Sequence, residues 1–257
     1  MKAVRVRGLV LGSGRPKICV PIVGRTEEKI LSEGRKIASL AGKGADLCEW
    51  RTDWFEGVFD EALLSETGKK LRAVLGEMPL LATFRSKSEG GAAQCTESGY
   101  KELIKSIIRG GFADLADIEL FTSGDSAPEL VSDAKKAGVF TVFSSHDFAK
   151  TPEKAEIVSR LQRMESMGAD ICKIAVTPLS ARDVLTLLEA TCERRENANT
   201  PLITMSMGAL GSVSRVCGEL VGSCLTFGAM SRASAPGQIR AEKLPDILEA
   251  LRLSRKN

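Results

Sequence analysis

Two hydrophobic rhythms alternate along this chain. Short apolar runs bounded by glycine or proline give way to stretches in which apolar residues recur every three or four positions. The first rhythm is that of buried strands, the second that of amphipathic helices. Ala3 to Leu11 alternates and runs into Gly12-Ser13-Gly14-Arg15-Pro16, which predicts a hairpin. Strands are then predicted at Lys17 to Val23, Ala45 to Arg51, Leu80 to Phe84, Ala113 to Leu120, Phe140 to Ser144, Asp170 to Val176, Leu202 to Met207 and Ser223 to Met230. Helical spacing falls between them at Thr26 to Leu40, Glu61 to Leu75, Glu97 to Arg109, Ala127 to Ala137, Pro152 to Met167 and Ser180 to Arg195. A short helix is predicted before Cys217, and Ala241 to Leu251 closes the chain. Gly138 and Gly168 mark two helix ends. Thr151 before Pro152 reads as an N-cap with proline at the first helical position.

Eight strands alternating with helices in 257 residues predict an α/β fold, a (β/α)8 barrel with an amino-terminal β-hairpin. An open doubly wound sheet usually has fewer strands and a phosphate-binding turn. Neither G-x-G-x-x-G nor G-x-x-x-x-G-K-[ST] occurs. No linker or low-complexity stretch interrupts the pattern, so residues 1–257 are read as one barrel domain.

A barrel places its chemistry at the carboxyl ends of its strands. Glu49 and Arg51 end the second strand on one side. Arg85 ends the third, Asp117 and Glu119 share a side of the fourth, and His146 follows the fifth. Lys173 sits in the middle of the sixth. That many charged positions are too many for a packed apolar interior without a ligand. An ammonium in an apolar run must find a partner or shed its proton. Lys173 thus reads either as a Schiff-base nucleophile or as a strand-edge lysine whose charge reaches water. His146 reads as an acid–base group at the rim or as a surface-loop histidine. Glu89, in a loop with Gly90 and Gly91, is placed to orient that histidine or to stand in solvent. Arg215 follows the seventh strand and suits capture of a carboxylate or phosphate, or else a helix surface. Ala233 to Ile239 reads as a lid with Ser234 and Gln238 as donors, or as an ordinary connection.

Composition removes other classes. A net charge of +3 with 5% aromatic residues argues against nucleic acid. No apolar run approaches the roughly 18 residues of a membrane span, and Arg5 and Arg7 break the apolar stretch that a signal peptide needs. Seven cysteines without a C-x-x-C, several inside strand-like runs, indicate a reducing, cytoplasmic setting. With His146 as the sole histidine and no ligand spacing, no metal is expected.

Eight motifs together resemble one family. They are Glu49-Trp50-Arg51, Thr83-Phe84-Arg85 with Glu89-Gly90-Gly91, Ser144 to Phe148, Cys172 to Val176, Met205 to Gly208, Ser214-Arg215, Leu225 to Ala229 and Ser234 to Gln238. In this order, from about Lys17 onward, they resemble the type I 3-dehydroquinate dehydratases, the Schiff-base dehydratases of the shikimate pathway of aromatic amino acid biosynthesis. The resemblance implies that Lys173 forms an imine with the C3 ketone of 3-dehydroquinate. His146 then takes the C2 proton and assists loss of the C1 hydroxyl, with Glu89 orienting it. Arg215 would hold the substrate carboxylate, with Ser234 and Gln238 closing over it. Glu49, Arg51 and Arg85 would hold the ring hydroxyls, and Met205, Met207 and Phe227 would form the apolar wall. The resemblance implies no cofactor and a homodimer. The alternatives are another Schiff-base barrel lyase of the class I aldolase type, or a non-catalytic ligand-binding barrel.

Overall fold

The computed structural model describes residues 3–230 and 234–253. It opens with β1 (Val4–Val6) and β2 (Leu9–Leu11), an antiparallel hairpin pairing Val4 with Leu11. Strands and helices then alternate. They run β3 (Lys17–Ile22), α1 (Glu27–Ala38), β4 (Leu47–Arg51), α2 (Glu61–Leu75), β5 (Leu80–Thr83) and α3 (Glu97–Arg109). Next come β6 (Leu115–Glu119), α4 (Ala127–Ala137), β7 (Phe140–Asp147), α5 (Lys154–Ser166), β8 (Ile171–Val176) and α6 (Ala181–Asn197). The chain continues with β9 (Leu202–Ser206), α7 (Gly218–Val221), β10 (Leu225–Ala229), β11 (Ile239–Arg240) and α8 (Leu244–Ala250). Helix starts are capped as their sequences dictate. Thr26, Asp60 and Thr96 each accept an amide three residues on, and Ser180 with Asp183 forms a capping box.

The sheet is parallel and orders β11-β10-β3-β4-β5-β6-β7-β8-β9. It curls until its ends meet. The Cys224 amide donates to the Leu202 carbonyl at 2.7 Å, and Leu202 bridges Ser223, joining the start of β9 to the entrance of β10. The strands β3 to β10 thus form the predicted barrel, with β11 added beside β10.

Strand alternation separates two cores. Ile18, Val20, Ile22, Trp50, Ile118, Phe143 and Ile174 face outward and pack with helix residues such as Ile30, Leu71, Ile104 and Leu187. Cys19, Leu47, Leu81, Leu115, Val142, Ile171, Ile203 and Leu225 belong to a second core, where Val6 and Leu11 of the hairpin join them. This apolar layer forms the floor of the barrel, and the hairpin seals it. Every position one rung higher on β4, β6, β7 and β8 is polar: Glu49, Asp117, Ser144 and Lys173.

Local expectations fail in four places. Thr151 does not cap α5, which starts at Lys154 behind Glu153. Its hydroxyl donates instead to the Thr177 carbonyl at 3.0 Å, tying the approach of α5 to the end of β8. The fifth barrel strand does not stop at Ser144. The ladder to β8 continues through His146–Ala175 and Asp147–Val176, so His146 lies within a strand and not in the loop after it. The helix expected before Cys217 is a 3-10 turn, Ser212–Arg215, followed by the short α7. The closing helix likewise begins as a 3-10 turn, Ala241–Lys243. Pro245, which offers no N–H, occupies the first turn of α8, where none is needed. No helix among the described residues is long and apolar enough to cross a membrane.

Candidate active site

Of these polar rungs, Glu49 and Lys173 line a cavity at the carboxyl ends of the strands. Its wall includes Glu49, Arg51, Thr83, Arg85, Glu89, Gly90, His146, Phe148, Lys173, Ala175, Met205, Met207, Phe227, Ser234, Ala235 and Gln238. Eleven of the twelve residues to which the family resemblance gives a role are on it. Arg215 is the exception. Ala233, at the start of the expected lid, lies outside the described residues.

Lys173 is the buried centre, 4% exposed. Opposite it in the ladder stands Ser144. The Lys173 Nζ lies 3.4 Å from Asp117 Oδ2 and 3.9 Å from Glu49 Oε1, and 4.8 Å from the centre of the Phe227 ring. Two carboxylates and an aromatic face therefore hold the amine in place. Glu49 is itself fixed by the Thr83 hydroxyl at 2.9 Å. The other oxygen of Asp117 accepts from Arg85 Nη2 at 2.8 Å and from the Ser144 hydroxyl at 2.6 Å. Burial opposes the Asp117 charge, but Arg85, Lys173 and the Ser144 hydroxyl outweigh it and hold the carboxyl below its ordinary range.

Arg85 organises the adjoining wall. Its Nη1 donates to Glu119 at 2.8 Å and to Ser144 Oγ at 3.0 Å. Burial works against its charge, but Asp117, Glu119 and Glu89 more than compensate and keep the guanidinium protonated. Arg51 forks onto Asp53, with Nε and Nη2 at 2.7 and 2.8 Å. Its remaining Nη1 reaches the Ser234 carbonyl at 3.4 Å.

The turn after Arg85 delivers Glu89. Gly91 must be glycine, because a Cβ there would lie 1.8 Å from the Arg85 carbonyl oxygen. Gly90 adopts φ 81°, the left-handed region that glycine tolerates. Glu89 Oε2 sits 2.8 Å from His146 Nδ1, accepts the His146 backbone amide at 3.1 Å and lies 3.4 Å from Arg85 Nη1. The His146 amide and Arg85 Nη1 already donate to Oε2, so a proton on Glu89 belongs on Oε1, and Nδ1 bonds Oε2 only by keeping its own hydrogen. Nε2 is then the free, basic nitrogen. Among the described residues it has no hydrogen-bond partner. Burial pushes the Glu89 carboxyl up to about 8, against the pull of Arg85. Burial, followed by repulsion from Arg85, Lys173 and Arg51, holds the imidazole well below 6.5. The pair therefore shares a single proton near neutrality.

Arg215 stands behind the segment 234–238. Its Nη2 donates to the Pro236 carbonyl at 2.8 Å, while Nε and Nη1 are buried without a partner among the described residues. Burial pushes it down to about 10. The segment is closed on itself: the Ser234 amide donates to Gln238 Oε1, and Gln238 Nε2 donates to the Ser234 hydroxyl, both at 2.9 Å.

Sequence reading missed the framework beneath these groups. Asp117 and Glu119 stood out only by their spacing, and Asp53, two residues past Arg51, drew no role. Strand alternation was the available signal, since it puts Asp117, Glu119, Ser144 and Lys173 on one inner face.

Comparison with known proteins agrees with this geometry. Residues 18–255 match the family described as type I 3-dehydroquinase. The chain is 50% identical over 254 residues to the 3-dehydroquinate dehydratase of Syntrophotalea carbinolica, covering 98% of this chain and 99% of that one. It is 47% identical over 251 residues to that of Listeria monocytogenes, covering 98% of each. The structure superposes on the type I enzyme of Clostridium difficile, solved with covalently modified comenic acid, at a TM-score of 0.92 with 45% identity over 97% of each chain. The Geobacillus kaustophilus 3-dehydroquinate dehydratase gives a TM-score of 0.93 with 39% identity, over 97% of this chain and 96% of that one. The chain belongs to the type I 3-dehydroquinase family.

Proposed function

We propose that this protein dehydrates 3-dehydroquinate to 3-dehydroshikimate through an imine on Lys173. The observation that carries the reading is the buried Lys173 amine, set between Asp117 and Glu49 in the cavity that also holds the Glu89–His146 pair. The neutral amine attacks the C3 ketone, and loss of water gives a protonated imine. That group is an electron sink, so the C2 hydrogen becomes acidic. His146 Nε2 removes it and leaves an enamine. The enamine electrons then expel the C1 hydroxyl, to which His146 returns the proton, so that water departs. A second water hydrolyses the imine and frees Lys173.

Charge placement supports the remaining roles. The partly unpaired Arg215 guanidinium suits the substrate carboxylate, with Ser234 and Gln238 over the site. Glu49, Arg51 and Arg85 suit the ring hydroxyls, and Met205, Met207 and Phe227 the apolar ring face. Motif order supports one barrel domain over residues 1–257, and family resemblance supports a homodimer. The cysteine usage supports a cytoplasmic setting, and family membership supports a place in the shikimate pathway.

The test is turnover of 3-dehydroquinate, followed by absorbance of the conjugated enone product. Wild type turns over, and Lys173→Ala loses nearly all activity while remaining folded. Normal activity in that variant removes the covalent mechanism.

A further inference from the structure

The Asp53 carboxylate receives four donors from two parts of the site. Arg51 contributes Nε at 2.7 Å and Nη2 at 2.8 Å. The backbone amides of Arg85 and Ala92 contribute the others, at 3.3 and 2.9 Å. The Asp53 side chain is wholly buried, so these donors take the place of its solvation. Arg85 and Ala92 flank the turn that carries Glu89, and a bridge between Ser86 and Ala93 closes its stem. One carboxylate thus grips both ends of the Glu89 turn. The same carboxylate fixes the plane of the Arg51 guanidinium, turning its free Nη1 toward Ser234.

We infer that Asp53 is a positioning residue. It sets the Arg51 guanidinium for the substrate and, through the turn, holds Glu89 against His146 Nδ1. This rests on the proposed function and extends it to a residue that touches neither substrate nor the reacting atoms. Two physical points support it. A fork between two planar charged groups fixes orientation more sharply than a single bond. A catalytic group displaced by about 1 Å loses on the order of a hundredfold in rate.

Asp53→Asn keeps the shape and loses the charge, and it places an amide hydrogen against Arg51. Turnover of this variant is expected to fall roughly 10–100-fold in kcat, with KM raised. A role confined to stability would lower the melting temperature and leave kcat of the folded protein unchanged. His146 is the sole histidine, so the ¹⁵N spectrum of the imidazole reports its tautomer without ambiguity. Wild type is expected to show Nδ1–H, and Asp53→Asn a mixture of tautomers. In a Glu89→Gln background, adding Asp53→Asn should cost less than about threefold in kcat, because both act through one contact.

Borohydride trapping of 3-dehydroquinate on wild-type protein runs in parallel. No adduct there sinks the functional reading itself. An adduct in wild type, together with unchanged tautomer and kcat in Asp53→Asn, overturns the role of Asp53 alone. If Asp53→Asn does not fold, Ala92→Pro removes one amide donor and leaves the carboxylate. An unchanged tautomer and kcat in that variant likewise overturn the inference.

Discussion

Replacing Arg215 with methionine should push stability and substrate binding in opposite directions. Arg215 is 2% exposed, its guanidinium finds one carbonyl acceptor, and two of its nitrogens have no partner among the described residues. Burial brings it from the ordinary arginine range to about 10. That difference corresponds to about 3 kcal/mol of penalty on the charged folded state at neutral pH. The sign follows from linkage. A cation whose affinity for its proton is lowered by folding destabilises the fold wherever it is charged, and the penalty lifts only as pH rises through about 10. Methionine removes the penalty and keeps most of the volume. It also gives up the bond to Pro236, worth about 1 kcal/mol. The net is about 2 kcal/mol of stabilisation, or a melting temperature raised by roughly 4–8 °C for a chain of this size. Binding moves the other way. Losing a buried guanidinium–carboxylate contact costs about 3 kcal/mol, a rise in KM on the order of a hundredfold. Thermal denaturation without ligand and initial rates from enone absorbance check both arms. A melting temperature lowered by several degrees with KM unchanged would instead make Arg215 a structural residue.

Other outcomes follow from the same geometry. His146→Ala should slow turnover roughly 10²–10⁴-fold, and rapid quench should find the imine accumulating; an unchanged rate removes His146 from proton transfer. Glu89, raised to about 8, and His146, held well below 6.5, share one proton when folded. When unfolded they titrate near about 4.3 and about 6.5. Just below about 6.5 the folded pair holds its proton on Glu89 and the unfolded chain holds one on His146, so the two states bind equally. Above about 6.5 the folded pair keeps a proton that the unfolded chain has lost, so stability declines by about 1.4 kcal/mol per pH unit until about pH 8. Melting temperature against pH, compared with Glu89→Gln, tests this; persistence of the upper decline in the variant would contradict it. In the hairpin, Leu11→Ala should cost about 3 kcal/mol by opening a cavity in the barrel floor, with kcat unchanged. A parallel loss of kcat would mean that the hairpin shapes the site.

Much of the fold is legible in the sequence because parallel barrel strands are short, apolar and punctuated. Their number, order and inner faces follow from strand-like runs and period-two alternation. The errors have local causes. Thr151 has the chemistry of an N-cap, but its hydroxyl is claimed by Thr177, a partner brought near only by the closed barrel. The strand holding His146 outlasts its apolar run because pairing with β8 continues through polar residues. In the site, residues facing inward at strand ends were readable one by one. The connections were not. Asp53 gripping the ends of a turn some 30 residues on, and Asp117 shared between Arg85, Ser144 and Lys173, are products of tertiary contact. Arg215 shows the reverse. Its residue type suggested an anion site, but its place behind Pro236 depends on how two loops meet.

The most direct test is borohydride reduction with 3-dehydroquinate present, followed by peptide mass mapping. One reduced adduct is expected, on Lys173, and it should be absent from Lys173→Ala. Turnover without an adduct on Lys173 would contradict the imine mechanism and leave that lysine as a structural counter-charge to Asp117 and Glu49.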